Sequence, residues 1–209
     1  MAITKTSHDL LRSLTFPQGG TLLEIGEANW FGDIDPASVG LDDSGSQFDV
    51  CKQLYRQLFA PEKCVAIDQN GSKDALRLDL NQPIDLKEQF DVVINNGTAE
   101  HVFNIAQVFK TMHEHCSIDG LMIHDAPLLG WIDHGFYTLQ PTLFWDLATA
   151  NCYEIAKAAI HEIKSQAVIP IERRNGLAGV SIPAEAMLFV AFKKRFDVPF
   201  SFPMQGRYK

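Results

Sequence analysis

The chain has 209 residues, 46% of them hydrophobic and 21% charged, and 18 basic against 26 acidic residues leave a formal charge of −8. That length suits one domain with an ordinary core, and the acidic balance gives no electrostatic grip on a nucleic-acid backbone. No apolar run approaches the roughly 18 residues of a membrane span. The cysteines at 51, 64, 116 and 152 form no CxxC pair, which argues against a disulfide scaffold or a zinc ribbon.

The cysteines therefore read as small buried apolar groups. The N-terminal residues lack the apolar core and cleavage site of a secretory leader, so a cytoplasmic protein is expected. Residues 1–18 carry Leu10, Leu11, Leu14 and Phe16 and end at the Pro17-Gln18-Gly19-Gly20 breaker, so they predict a short helical lead-in that caps a ligand edge or packs on a sheet. Residues 21–26 (TLLEIG) follow as a buried strand. Residues 27–47 are too interrupted by Gly32, Pro36, Gly40 and Gly45 for a regular helix. Helical spacing returns over residues 48–58, with Pro61 soon after.

Short strands are predicted at 64–68, 75–78 and 91–94. A helix then carries the apolar stripe Val102, Ile105, Ala106, Phe109 and Met112. Ile118-Asp119-Gly120 is expected to break that helix and lead into a strand from residue 121 to 124. A helix with Pro141 near its first turn runs to about residue 150. Two late β-rich runs, 153–163 and 187–192, predict a final hairpin. Alternating strands and helices point to an α/β fold with one mostly parallel sheet.

Four of these strands stop at an acid or an amide: Glu24 before Gly26, Asp68, Asp79, and Asn95-Asn96-Gly97. Ligands bind at the carboxyl edge of such sheets. Asp68 is placed to accept from ribose hydroxyls, although Asp68-Gln69-Asn70-Gly71 also reads as a plain turn. Asp79 suits an adenine amino group with Leu80 over the ring face, or it is a solvated acid before the Asn81-Gln82-Pro83 turn. Asn95 could meet a ligand or cap the next helix.

These segments, LEIG at 23–26, AIDQNG at 66–71, LDLN at 78–81 and FDVVINNGTAEHV at 90–102, together resemble the class I methyltransferases that use S-adenosylmethionine. The resemblance covers about residues 20–125, with a looser match beyond. It implies a Rossmann-like three-layer sandwich of seven mostly parallel strands with an antiparallel C-terminal strand, forming a single domain over residues 1–209 with a substrate-side insertion at 126–150. It also implies S-adenosyl-L-methionine as cofactor, with Gly26 facing its methionine part, Asp68 the ribose, Asp79 the adenine and Asn95 the methionine side near the transferred methyl, and with Glu24, Glu27, Gln69, Leu80, Asn96 and Gly97 also expected to bind it.

The resemblance fails at one point. The family's glycine-rich turn is replaced by Gly26-Glu27-Ala28-Asn29-Trp30-Phe31-Gly32, which also lacks the spacing a dinucleotide pyrophosphate needs. A sulfonium carries no phosphate, and Glu27, Trp30 and Phe31 are candidate neighbours for it. Among seven histidines, His134 is the candidate base for deprotonating an acceptor hydroxyl, with His101 or the His124-Asp125 pair orienting substrate. His113 and His115 read as surface groups. No close ligand spacing supports a metal site built from His101, His124, Asp125 and His134, so no metal is expected.

The aromatic stretch from Phe136 to Trp145 reads as a pocket wall or as core packing. Phe200 and Phe202 near the C-terminus read as a lid or a packing tail, and their aromatics leave a homodimer open. The expected function is methyl transfer to a small molecule, with a sugar or natural-product hydroxyl favoured as acceptor and no nucleic-acid or membrane partner. The competing expectations are a non-catalytic binding protein that has lost cofactor use and an NAD-linked oxidoreductase.

Overall fold

The structure is a computed structural model that describes residues 2–208, so the two outermost residues of the expected domain lie outside the described residues. In chain order the elements are β1 (Ala2–Ile3), α1 (Lys5–Arg12), β2 (Thr21–Ile25), β3 (Asn29–Trp30), α2 (Gln47–Phe59), β4 (Lys63–Ile67), β5 (Phe90–Asn96), α3 (Ile105–His115), β6 (Cys116–Leu129), α4 (Pro141–Asn151), β7 (Tyr153–His161), β8 (Val168–Pro170) and β9 (Ala186–Lys194). Single 3₁₀ turns occur at Pro36–Val39, Ala99–His101 and Gly206–Tyr208.

Seven strands form one sheet in the order β4-β2-β5-β6-β9-β7-β8. The β4-β2-β5-β6 pairings are parallel, whereas β9 runs antiparallel to β6 and β7, and β8 antiparallel to β7. Successive residues of a strand face opposite sides. Leu22, Val92 and Ile94 accordingly pack with α1 and α2, while Leu23 and Val93 pack with α3 and α4. Two apolar layers thus sandwich the sheet, which is why β2 and β5 read as continuous hydrophobic runs.

Helix termini follow their sequence signals. α2 starts in a capping box, with the Ser46 side chain accepting from the Asp49 N–H and the Asp49 carboxylate accepting from the Ser46 N–H. It ends at Ala60 in the left-handed region, just before Pro61. Its observed span exceeds the expected 48–58 by one residue at each end. α1 packs Leu10 and Leu11 into the core beside α2.

Several expectations are corrected. The strand expected at 75–78 reduces to one parallel bridge between Leu76 and Ile67. Leu76 and Leu78 are exposed there, and the chain leaves β4 for a turn closed by the Gln82 N–H on Asp79 O. The seventh strand is instead β8, at the other edge. Ile118-Asp119-Gly120 is no break: α3 ends at His115 and β6 passes through it. Asp119 takes φ +62° and the β5–β6 register shifts between Phe90 and Val92, as at a bulge.

His113 and His115 are buried, not surface groups. His113 bonds the Tyr153 hydroxyl and the Val198 carbonyl, and His115 Nε2 accepts from the Leu86 N–H. Two of the cysteines, Cys64 and Cys152, are exposed. Phe200 packs against His113, and Asn151 pins Ser201 through both backbone groups, so Phe200 is a packing residue, whereas Phe202 is exposed. No helix among the described residues is long and apolar enough to cross a membrane.

Candidate active site at the carboxyl edge

The turn after β2 is built by acids where additional glycines were absent. Gly26 takes φ +79°, and a Cβ there would lie 1.8 Å from Thr98 Oγ1, so only glycine fits. Its N–H donates to Ile67 O. The next two N–H groups, of Glu27 and Ala28, donate to Asp68 Oδ2 and Glu24 Oε2, each at 2.9 Å. Glu24 also accepts from the Tyr55 hydroxyl, and burial pushes its carboxyl up to about 7. The Glu27 carboxylate is engaged by the Ser72 N–H and hydroxyl and by Lys52.

Beside this turn lies a cleft of about 490 Å³. Gly26, Glu27, Asp68, Gln69, Asp79 and Leu80 line it, so six residues expected at the cofactor converge there, joined by His101. Asp68 Oδ1 accepts the Asn70 N–H, which makes the turn reading of Asp68 true as well. Each of its oxygens takes one protein donor and keeps a second lone pair. Asn81 donates to Asp79 through its backbone and side chain and holds that carboxyl below its ordinary range. The apolar lining from Ile67, Leu78 and Val102, and the ring of Phe48, was not anticipated.

Other expected cofactor contacts are not brought to this cleft. Asn95 is fully buried, and its Oδ1 accepts from the Thr98 and Ala99 N–H groups, which makes it the cap of the following 3₁₀ turn. Asn96 and Gly97 do not line the cleft, and the Glu24 side chain is spent on the turn itself. Trp30 is core: its indole N–H donates to Ile34 O and its ring meets His8 edge-on.

The histidines divide sharply. His124 is buried among Phe109, Phe144 and Phe192, and burial alone pushes its imidazole down to about 3. Asp125 accepts from the Ser7 hydroxyl at 2.6 Å and pairs with His161 Nε2 at 2.7 Å. Both side chains are locked in the interior, which corrects their expected place beside a substrate. His101 and His134, by contrast, meet with ring centroids 4.9 Å apart. His101 faces the cleft, and burial with the His134 charge lowers its pKa.

Between them stands Glu100, which sequence reasoning missed although it adjoins His101 in the AEH segment. Its carboxylate is fully buried, and neither oxygen has a hydrogen-bond partner among the described residues. Burial, with a further push from the Asp125 charge, raises it to about 8. The Glu100 carbonyl accepts the Phe136 and Tyr137 N–H groups, which docks the loop carrying His134 onto the 3₁₀ turn. An exposed edge-to-face pair, Phe103 and Phe136, stands at the same end.

No family model and no curated protein matches this chain. Solved structures do. The 1,6-didemethyltoxoflavin-N1-methyltransferase of Burkholderia thailandensis, bound to 1,6-didemethyltoxoflavin and S-adenosylhomocysteine, superposes with a TM-score of 0.56 at 11% identity, over 92% of this chain and 78% of its own. An S-adenosylmethionine-dependent methyltransferase from Mesorhizobium loti gives a TM-score of 0.55 at 13% identity, over 90% of this chain and 97% of its own. The fold is therefore the Rossmann-like methyltransferase fold, as the strand-end motifs implied.

Proposed function

We propose that the protein transfers a methyl group from S-adenosylmethionine to a hydroxyl oxygen of a small molecule. The cleft bounded by Gly26, Asp68 and Asp79-Leu80 carries this reading. Asp68 offers free lone pairs for ribose hydroxyls, Leu78, Leu80 and Val102 offer an apolar seat for adenine, and Asp79 offers an acceptor for its amino group. Among the described residues no lysine or arginine lines the cleft, while three acids do. That suits a cationic, phosphate-free cofactor and disfavours a nicotinamide dinucleotide.

The acceptor hydroxyl is presented at the His101 end, against the Glu100–His101–His134 cluster, where its proton leaves to solvent beside the part-exposed His101. Its oxygen lone pair forms the new bond to the methyl carbon, and the carbon–sulfur bonding pair returns to sulfur. The exposed Phe103–Phe136 pair suits a ring-bearing substrate, in line with the small-molecule acceptor of the Burkholderia enzyme.

Calorimetry with S-adenosylmethionine and S-adenosylhomocysteine tests the reading: micromolar binding of either supports it, and no heat at millimolar ligand removes it. A non-catalytic binding protein is the rival, favoured by the crowding of Thr98 against Gly26.

A further inference from the structure

We propose that Glu100, His101 and His134 bind a divalent first-row transition metal ion, which deepens the reading above and rests on it only for the ion's role in methyl transfer. The geometry is that of a site lacking its centre. Glu100 Oε1 lies 3.7 Å from His134 Nε2 and 4.0 Å from His101 Nε2, too far for hydrogen bonds. All three ligand atoms fall within 4.8 Å of one another. A metal with bonds of about 2.1 Å to nitrogen and oxygen holds its ligands about 3.0–3.5 Å apart, so small side-chain shifts close the site.

An independent observation points to the same occupant. Both carboxyl oxygens of Glu100 and Nε2 of His134 are buried polar atoms with no partner among the described residues, and a buried polar group left unpaired is costly unless a ligand engages it. The surrounding backbone holds the cluster in place. Asn95 caps the turn bearing Glu100 and His101, and the loop bearing His134 is tied by Phe136 N–H and Tyr137 N–H to Glu100 O and by the Tyr137 hydroxyl to Phe103 O. Gly135 permits that approach, since a Cβ there would stand 3.0 Å from Glu100 O and 3.1 Å from His101 Nδ1.

Two imidazoles and one carboxylate select zinc-like or other first-row ions over magnesium or calcium, and leave positions open for an exogenous ligand. Because His101 also lines the cleft, those positions lie where the acceptor hydroxyl is presented. Ligation acidifies the hydroxyl, and its proton passes to solvent at the half-exposed side of His101.

The test is titration of chelator-stripped protein with Co²⁺, read by visible absorption and calorimetry. The expected result is one Co²⁺ per chain at micromolar or tighter affinity, weakened about 100-fold in Glu100→Gln and in His134→Asn. S-adenosylhomocysteine binding by both variants, measured on the same samples, reports that the cofactor cleft is intact. No Co²⁺ binding by the native chain at millimolar concentration, or binding unchanged in both variants, overturns the site. Cobalt binding without S-adenosylhomocysteine binding sustains the metal site while removing the methyltransferase reading.

Discussion

Two carboxyl–histidine groups with buried acids, Asp125 within β6 and Glu100 in the turn just after β5, differ in how their oxygens are satisfied. Around Asp125 every partner is supplied: Ser7 donates to one oxygen, His161 occupies the other, and His161 Nδ1 bonds the Thr6 hydroxyl. This group rivets α1 to the sheet. Around Glu100 neither oxygen has a hydrogen-bond partner among the described residues. Both set a carboxyl group beside imidazole; satisfaction of hydrogen bonds separates the structural group from the one open to a ligand.

The largest effect should come from breaking the satisfied group. Asp125→Ala leaves His161 and Ser7 without their acceptor, and the expected loss is about 3–5 kcal/mol of unfolding free energy in urea denaturation. A loss under about 1 kcal/mol would show that the network does not hold α1.

Glu24 is the intermediate case, buried with two neutral donors. Its folded value of about 7 lies above the unfolded 4.5, so the native state binds the proton more tightly. Its stabilising contribution is complete below about pH 4.5 and is lost as pH rises through about 7. Thermal melts between pH 5 and 8 should fall less steeply in Glu24→Gln than in the native chain, and equal slopes would refute this.

Asp68→Ala should weaken S-adenosylhomocysteine binding by about 1–3 kcal/mol, since it removes both the proposed ribose acceptor and a clamp on the Glu27 N–H. An unchanged calorimetric Kd would favour the non-catalytic rival. The smallest stability change belongs to Glu100→Gln. Replacing an unpaired buried carboxylate with its neutral isostere should leave the metal-free protein as stable or slightly more stable, within about 1 kcal/mol, while turnover falls by tenfold or more. A melting temperature that drops by many degrees would mean that Glu100 is structural after all.

The sequence by itself determined the layered fold and several residues of the cleft at the sheet's carboxyl edge. Strand alternation is local, so Leu22, Leu23, Val92 and Val93 announce a sheet buried on both faces, and an acid at the end of a strand has little freedom over where it lies. That is why Gly26 and Asp68 could be assigned to one edge, whereas Asp79 and Leu80 reach the same cleft from a turn and not from a strand end. What local pattern could not contain is whether a polar side chain finds its partners. Asn95 turned inward to cap, His124 was enclosed by phenylalanines from three other elements, and the strand expected at 75–78 reduced to a single bridge with Leu76 and Leu78 exposed. Only the tertiary structure decided that His134 returns to His101 across Glu100, since that meeting depends on a loop docked by backbone hydrogen bonds between segments distant in the chain.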